Sequence, residues 1–374
     1  SKPATFFTSE VGDYENFSIG VNDPDPFEAT LADGTSGEIK WMQSGGDLLI
    51  GTSTGEWAIK GVPLTPTNVG SDIQSGYGSA AVQAARVGTN IFFVGVNRGS
   101  IREMVFSDEQ KKYLAPDLLE LADHLVATWG IKEVCYSQNL PEQVLLAILT
   151  DGSVLGFSYR RESDIAAWSP WNMTAYSAAV LPKADGNDEI WIATSRGMQV
   201  LSFENYLLDS QIDAVPSSFT VRGFDVLAGM YVTVVADGID IGSFLVAPNG
   251  TIDISSSGIS LPSSITAGVD FSFTLAPLPP EFVMQGSGAT PGTLRSISDA
   301  KVLLRASRNG RIQGDGSSDA WFLGESDKNT VFSGWHVATD IGSNGRDASF
   351  EIWQSGPFHF EVLAISPDVK VGEA

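Results

Sequence analysis

Residues 46–61, GDLLIGTSTGEWAIKG, contain two short apolar runs joined by a turn that ends at Gly55. Two such runs around a glycine-containing turn predict a β-hairpin. The same pattern recurs three times: NIFFVGVNRGSIREMVF at 90–106, QVLLAILTDGSVLGFSY at 143–159 and EIWIATSRGMQVL at 189–201. The hairpin is therefore a repeated module.

The turn glycines set the spacing of the repeat. Gly55 and Gly99 are 44 residues apart, Gly99 and Gly152 are 53 apart, and Gly152 and Gly197 are 45 apart. Strand repeats of this length favour β-propeller blades, each a four-stranded antiparallel sheet covered on both faces by its neighbours. Covered faces also explain the nearly continuous apolar runs of the hairpins. A β-sandwich built from similar hairpins is the alternative.

The composition also indicates an all-β class. The chain has 374 residues, of which 43% are hydrophobic, and its 39 glycines and 18 prolines suit many tight turns between short strands. No apolar run approaches the roughly 18 residues of a membrane helix, and the start SKPATFF lacks the features of a signal peptide. We therefore expect no membrane insertion.

One segment between the hairpins predicts a helix near 116–126. After Pro116, the residues Leu118, Leu121, Ala122 and Leu125 lie at steps of three and four, as on one face of a helix. This insertion would lengthen the second interval of the repeat. Four or five readable blades are few for a closed ring. We therefore expect further blades upstream in an N-terminally longer protein, with a ring that is completed in another way as the alternative.

The pattern divides the chain into three predicted domains. A propeller-like domain occupies 1–212, and the Val-, Ile-, Ser- and Gly-rich stretch after it predicts a small β-domain over 213–275. A proline-rich connector then opens a C-terminal β-module over 276–374. The predicted fold is thus all-β, with propeller-like blades followed by small β-barrel or sandwich modules.

Charge and cysteine content exclude two broad classes of function. The chain has 22 Lys and Arg against 45 Asp and Glu, a formal net charge of −23. Such an excess opposes a tight grip on nucleic acid, which needs cations to neutralise phosphates, and its simplest role is solubility. The single cysteine, Cys135, lies in an apolar run and predicts a buried side chain without redox chemistry.

The usual signatures of catalysis and metal binding are absent from the sequence. The three histidines, His124, His336 and His359, lack metal-ligand spacing, and no GxSxG elbow, phosphate loop, HExxH or paired CxxC occurs. We assign no catalytic, cofactor-binding or metal-binding residue, and no cofactor. The prediction is that the chain is not an enzyme.

Carboxylates leave one alternative open, because a glycosidase pair is defined by separation in space and cannot be read from sequence. The acidic stretches at 23–26 (DPDP) and 185–189 (DGNDE) lack the pattern of a calcium loop, so we expect acidic turns. Trp168 and Trp171 can form a sugar-binding platform, although packing between blades is the commoner role of such residues.

Several longer strings carry a resemblance that covers nearly the whole chain. They are TSEVGDYENFSIG at 8–20, PLTPTNVGSDIQSGYGSA at 63–80, YLAPDLLELADHL at 113–125, LTDGSVLGFSYRRESDIAAWSPW at 149–171, YVTVVADG at 231–238, RSISDAKVLLRASRNGRI at 295–312 and FHFEVLAISPDV at 358–369. In order and spacing they resemble a family of phage and prophage tail proteins, similar to the nozzle or stabilisation proteins of short-tailed phages.

The resemblance implies a structural role in the virion tail. It implies a homo-oligomeric ring, six-fold in related phages, that is assembled in the host cytoplasm and contacts portal, adaptor and tail fibre proteins. DNA would pass through only as cargo during ejection, and a carboxylate-rich channel would avoid tight phosphate contacts. No catalytic residue carries over. The alternative function is a propeller-based receptor protein that binds or degrades glycans.

Overall fold

The computed structural model describes residues 2–31, 37–139, 143–163, 165–202, 206–281, 283–284, 288–289 and 293–371. The chain forms two compact units, Ser1–Leu201 and Ser202–Ala374. All sheets are antiparallel, and among the described residues no α-helix occurs and no barrel closes. The all-β prediction is confirmed, while the barrel form predicted as one possibility for the later modules is not observed.

The described residues of the first unit form five successive sheets. A two-stranded N-terminal sheet is followed by sheets 1 to 3 with four strands each and by sheet 4 with three. The N-terminal sheet contains β1 (Thr5–Phe7) and β2 (Glu28–Thr30); sheet 1 contains β3 (Ile39–Ser44), β4 (Leu48–Thr52), β5 (Glu56–Lys60) and β6 (Gly70–Ser75); sheet 2 contains β7 (Ala85–Val87), β8 (Asn90–Val94), β9 (Ile101–Ser107) and β10 (Lys112–Leu114); sheet 3 contains β11 (Ile131–Ser137), β12 (Val144–Leu149), β13 (Ser153–Arg160) and β14 (Ile165–Thr174); sheet 4 contains β15 (Ser177–Pro182), β16 (Asp188–Thr194) and β17 (Gly197–Leu201).

The four repeated hairpins form the second and third strands of sheets 1 to 4. They are the pairs β4–β5, β8–β9, β12–β13 and β16–β17, and a further strand, β7, β11 or β15, precedes each of the last three hairpins. In strand β12 all six residues are buried, as expected for a strand covered on both faces. Sheets 1 to 3 therefore have the four-stranded arrangement of a propeller blade, and sheet 4 has three strands in the same order.

Apolar side chains join each sheet to the next. Phe6 of the N-terminal sheet packs with Trp57 of sheet 1, and Trp41 of sheet 1 packs against Phe93 of sheet 2 with ring centroids 5.6 Å apart. Phe92 of sheet 2 and Phe157 of sheet 3 lie in one core, with centroids 6.3 Å apart. Sheets 3 and 4 share a further core. Apolar packing between the facing surfaces of neighbouring sheets therefore provides the hydrophobic stabilisation of the first unit.

One glycine is required by this packing. A Cβ atom on Gly51 in β4 would lie 2.1 Å from the Trp41 indole and 2.6 Å from Ser79 Oγ. The missing side chain at this position allows the buried indole to cross the strand.

The helix predicted near 116–126 is wrong. The segment forms tight turns with one 3-10 turn at Asp123–Leu125, and Leu121, predicted on the apolar face, is 95% exposed. Leu118 explains the difference: its N–H donates to Ile101 O at 2.8 Å, and its carbonyl accepts from Trp168 Nε1 at 2.9 Å. These hydrogen bonds to sheets 2 and 3 take the place of the bonds that a helix would make within the segment. As a result Leu119, and not Leu121, is the residue whose side chain is fully buried.

The second unit contains two hydrophobic cores. The first core includes Val234, Ile252 and Ala267, and the second includes Val302, Ile312 and Ile352. The strands of the first part are β18 (Leu208–Ala214), β19 (Thr220–Arg222), β20 (Tyr231–Ala236), β21 (Ile239–Leu245), β22 (Thr251–Asp253) and β23 (Ile265–Asp270); those of the second are β24 (Ser272–Leu275), β25 (Val283–Met284), β26 (Gly288–Ala289), β27 (Arg295–Ser307), β28 (Gly310–Gly314), β29 (Ala320–Leu323), β30 (Phe332–Ala338), β31 (Ser343–Gly345), β32 (Phe350–Ser355) and β33 (Val362–Val371).

The second core lies between two sheets and makes this part a β-sandwich. One sheet has the order β24-β32-β28-β29; in the other, β27 pairs with β30, β31 and β33. The remaining 3-10 turns are Arg161–Ser163, Asp225–Leu227 and Ser255–Ser257. The predicted boundaries at 212/213 and 275/276 stay a prediction. In the described part of the chain, no helix has the length and apolar character needed to cross a membrane.

Candidate functional site

A cleft of the first unit lies where the ends of sheets 2 and 3 meet. It has a volume of about 580 Å3, and we call it the interblade cleft. Its lining comes from the β7–β8 turn, the end of β11, the end of β13 and the 3-10 turn that follows. The lining residues are Val87, Gly88, Thr89, Asn90, Tyr136, Gln138, Gln143, Tyr159, Arg160, Arg161, Glu162 and Ser163.

A buried carboxylate accepts hydrogen bonds from three of these lining residues. Glu103 in β9 is 5% exposed, and its Oε1 accepts from Asn90 Nδ2 at 2.5 Å, Tyr159 Oη at 2.7 Å and Arg161 Nη1 at 3.3 Å. The pairing of Glu103 with Phe92 places it on the face of sheet 2 that packs against sheet 3. Desolvation of this carboxylate is thus offset by charge-assisted hydrogen bonds.

Aromatic rings support the Tyr159 hydroxyl. The Tyr159 ring stacks on Phe157 at 5.7 Å and meets the edge of Phe92 at 5.2 Å, and Phe157 stacks on Trp168 at 4.4 Å. Burial raises the pKa of Tyr159 to about 12, and the Glu103 carboxylate adds to the shift. At neutral pH the phenol remains protonated, so it acts as a hydrogen-bond donor.

The cleft offers groups suited to binding a polar ligand. Arg161 and Glu162 lie at its exposed rim, where Arg161 is 59% exposed. A two-carboxylate mechanism would need two acids placed for the reaction. Glu162 is the one carboxylate among the described residues that line the cleft, whereas Glu103 lies behind the lining residues that bond to it. The arrangement can hold hydroxyl-rich ligands through Asn90, Gln138 and Arg161.

A second buried carboxylate lies at the turn of the first repeated hairpin. Glu56 is fully buried and accepts from the hydroxyls of Ser75 and Ser79 and from the backbone N–H of Tyr77. Burial raises the pKa of Glu56 above its ordinary value, against the lowering by these donors and by Arg102. This network fixes the end of sheet 1.

The sequence analysis missed both carboxylates. The sequence contains a sign of the Glu103 network in the stretch IREMVFS. There the charged residue Glu103 lies between Ile101 and Met104, and both of these are core residues. A charged residue within an otherwise apolar strand indicates a built polar contact, because an unpaired buried charge is costly. Glu56 carries the same signal at the start of the apolar run of β5.

Trp168 and Trp171 do not form a sugar-binding platform. Trp168 stacks in the core of sheets 2 and 3, and Trp171 packs at the core shared by sheets 3 and 4 and donates to Ser169 Oγ at 3.2 Å. Both tryptophans pack between sheets, which the sequence analysis gave as their commoner role.

The remaining residues considered for chemistry lie apart from one another. His124 is exposed in a 3-10 turn, burial lowers the pKa of His336, and His359 Nε2 lies 3.3 Å from Glu361 Oε2. Burial, with the nearby Glu133 charge, raises the pKa of Cys135 to about 12, which leaves the thiol protonated and unreactive at neutral pH. No group of three or more metal-ligating side chains occurs in the part of the chain that the structure describes.

The acidic stretches form turns. Within 185–189, Asp185 accepts from the N–H of Asn187 at 3.0 Å, and the buried Asp188 accepts from the backbone N–H groups of Gln138 and Asn139 at 2.8 and 3.0 Å. Residues 23–26 also lie in a turn region.

Comparison with known proteins gives little similarity. No protein-family profile and no curated protein matches the sequence. Two solved structures of an exo-β-1,3-galactanase from Phanerochaete chrysosporium with β-1,3-galactotriose are similar in part. Each is 10% identical with a TM-score of 0.25; the alignments cover 94% and 92% of this chain and 87% and 96% of the galactanase chains.

These structures correct one prediction. The sequence analysis predicted that the chain is not an enzyme; the similar structures are of an enzyme, which contradicts that prediction, and we withdraw it. At a TM-score of 0.25 the similarity carries no argument about a reaction, so neither substrate nor catalytic residues are transferred to this chain.

Proposed function

We propose that this chain is a structural component of a phage or prophage tail, at the end of the tail tube, where it binds further tail proteins. The sequence resemblance suggests the role, and one structural observation supports it. This is the exposed face of sheet 4, which we call the open face.

The register of sheet 4 defines the open face. Ala179, Trp191 and Val200 lie opposite one another across the three strands, and Met198 lies opposite Ala193 in the neighbouring row. The other side of the sheet buries Ala178, Ile190 and Ile192 against sheet 3. Side chains alternate between the two faces of a strand, so the first set is directed away from sheet 3.

Among the described residues of the first unit, no sheet covers the open face. Met198 is 63% exposed, Leu181 is 51% exposed and Val200 is 41% exposed. In sheets 1 to 3 the corresponding hairpins are covered on both faces. Exposed apolar side chains grouped on one face of a sheet are typical of a protein interface. A tail component must bind neighbouring proteins through such an interface. The open face provides an apolar surface for this contact.

The test is the molar mass of the purified protein by light scattering, alone and with a portal or adaptor protein of a short-tailed phage. We expect the wild type to form a multimer alone or on the partner. The M198E/V200E variant should remain monomeric, because two carboxylates would be desolvated in the interface. L121E is the matched control, since Leu121 is 95% exposed outside sheet 4. A wild type that is monomeric in both conditions, or a face variant that assembles normally, would reject the proposal.

A second candidate function is a receptor protein that binds or degrades glycans. The observation in its favour is the interblade cleft, with Glu103, Tyr159 and Arg161. Buried, oriented polar groups in a cleft of this volume are typical of ligand sites. The test is a glycan array read for binding and for release of reducing sugar, with the wild type and E103Q. A glycan that the wild type recognises and E103Q does not would favour this function; no hit would remove it.

A further inference from the structure

A second cleft, within the second unit, has a lining that differs from the rest of this acidic chain. It has a volume of about 340 Å3 and combines cationic and aromatic side chains, and we call it the Arg308 cleft. Its lining residues are Tyr206, Gly238, Ala306, Arg308, Val331, Phe358 and His359.

The turn between β27 and β28 fixes the position of Arg308. Ala306 and Asn309 have φ values of 45° and 54°, in the left-handed region that residues with a Cβ rarely adopt. Ala306 N donates to Ser333 Oγ at 2.8 Å, and Asn309 Nδ2 donates to Ser355 O at 2.7 Å. The next residue in the chain is Gly310. A Cβ atom at this position would lie 1.9 Å from the Phe360 ring, so the packing requires glycine. Strained backbone held by such contacts is frequent at binding sites.

The guanidinium group is held over an aromatic ring. Arg308 Cζ lies 4.4 Å from the centroid of Phe358, and the Arg308 backbone N–H donates to His359 O at 3.2 Å. Phe358 is only 3% exposed, so the ring is a fixed support, and Tyr206 meets it edge-on at 6.2 Å. Arg308 Nη1 makes a long contact of 3.4 Å with Gly238 O. A stacked guanidinium loses little further freedom when it binds a ligand.

Arg308 has no carboxylate partner among the residues that the structure describes. The nearby Glu361 instead pairs with Arg305 at 2.6 Å and contacts His359 at 3.3 Å. A half-buried arginine without a carboxylate partner leaves its charge available to a ligand in the cleft.

We propose that the Arg308 cleft binds a sugar acid of one or two rings, with its carboxylate on Arg308. A guanidinium matches a carboxylate through two parallel hydrogen bonds. The exposed His359 imidazole and the Gly238 carbonyl provide partners for ring hydroxyls, and Tyr206 provides a surface for the apolar face of the sugar. The volume suits a ligand of this size.

This inference is independent of the proposed function. It concerns the second unit, whereas the assembly test concerns the open face of the first. Failure of either test leaves the other standing.

The experiment is a titration of the full chain with D-galacturonate and with D-galactose, which differ in the carboxylate, followed by ligand-observed NMR. We expect binding of galacturonate and at least about tenfold weaker binding of galactose, as for loss of a hydrogen bond to a charged group. R308Q should weaken galacturonate binding by at least about tenfold. R308K keeps the positive charge but cannot form the two parallel hydrogen bonds of a guanidinium group, so it should weaken binding by a smaller factor. R311Q is the matched control, since Arg311 also stacks on an aromatic ring, Phe322 at 3.6 Å, but does not line the cleft.

Three results would overturn the proposal: no galacturonate binding by the wild type, equal binding of the two sugars, or normal binding by a folded R308Q. If R308Q does not fold, the comparison of R308K with R311Q decides. Equal weakening in these two variants would then reject a specific role of Arg308.

Discussion

Trp57 provides a quantitative test of the stacked sheets. Its side chain is 4% exposed in the core between the N-terminal sheet and sheet 1. Burial of about 200 Å2 of tryptophan surface, at roughly 25 cal/mol per Å2, corresponds to about 5 kcal/mol. This value agrees with the ~3 to 5 kcal/mol measured for Trp to Ala substitutions in cores. W57A should therefore lower the free energy of unfolding of the first unit by that range, or its Tm by roughly 6 to 20 °C.

Trp191 is the matched control, because it is half-buried on the open face and its indole N–H contacts only Glu189 of its own strand, at 3.0 Å. W191A should cost the monomer about 1 kcal/mol or less. Because a two-unit chain need not unfold in one step, pulse proteolysis in urea with identification of the cleaved unit is the suitable assay. The packing of the N-terminal sheet against sheet 1 would be refuted if W57A and W191A lowered the free energy of unfolding equally. It would also be refuted if W57A lowered this free energy by less than about 1 kcal/mol.

Three further substitutions test the buried groups. The raised pKa of Glu56 means that the folded state holds the proton more tightly, so the stability of the wild type falls as pH rises above the ordinary glutamate pKa. E56Q, which does not titrate, should therefore gain stability relative to the wild type as pH rises from about 4 towards neutrality. A difference in denaturation midpoint that stays constant over this range would contradict the prediction. G51A should cost about 1 to 3 kcal/mol by overpacking, with G46A, where a Cβ meets only one atom at 3.8 Å, nearly neutral in the same melts. K328M should cost about 1 to 2 kcal/mol, because it removes the 2.6 Å ion-pair partner of Asp240, whose side chain is only 10% exposed. Adding D240N should restore most of this stability, and a double-mutant cycle without coupling would exclude the ion pair.

The repeated hairpins were readable from sequence because turn glycines and apolar runs depend on neighbouring residues. The helix near 116–126 was predicted wrongly because the backbone of Leu118 bonds to sheets that are distant in sequence. The same reason hides the clefts. Glu103 and Tyr159 are 56 residues apart, and Arg308 and Tyr206 are further apart still, so no local pattern brings them together. The open face could be identified only from the strand register, which determines the side of sheet 4 on which the Trp191 side chain lies.

We propose that this chain works as part of a tail assembly through the open face. Electron microscopy of the purified protein, alone and on a portal and adaptor ring, tests it most directly. We predict a closed ring around an axial channel, with protein density covering Trp191, Met198 and Val200. Isolated monomers in both samples, or a ring in which these three side chains face solvent, would contradict the account.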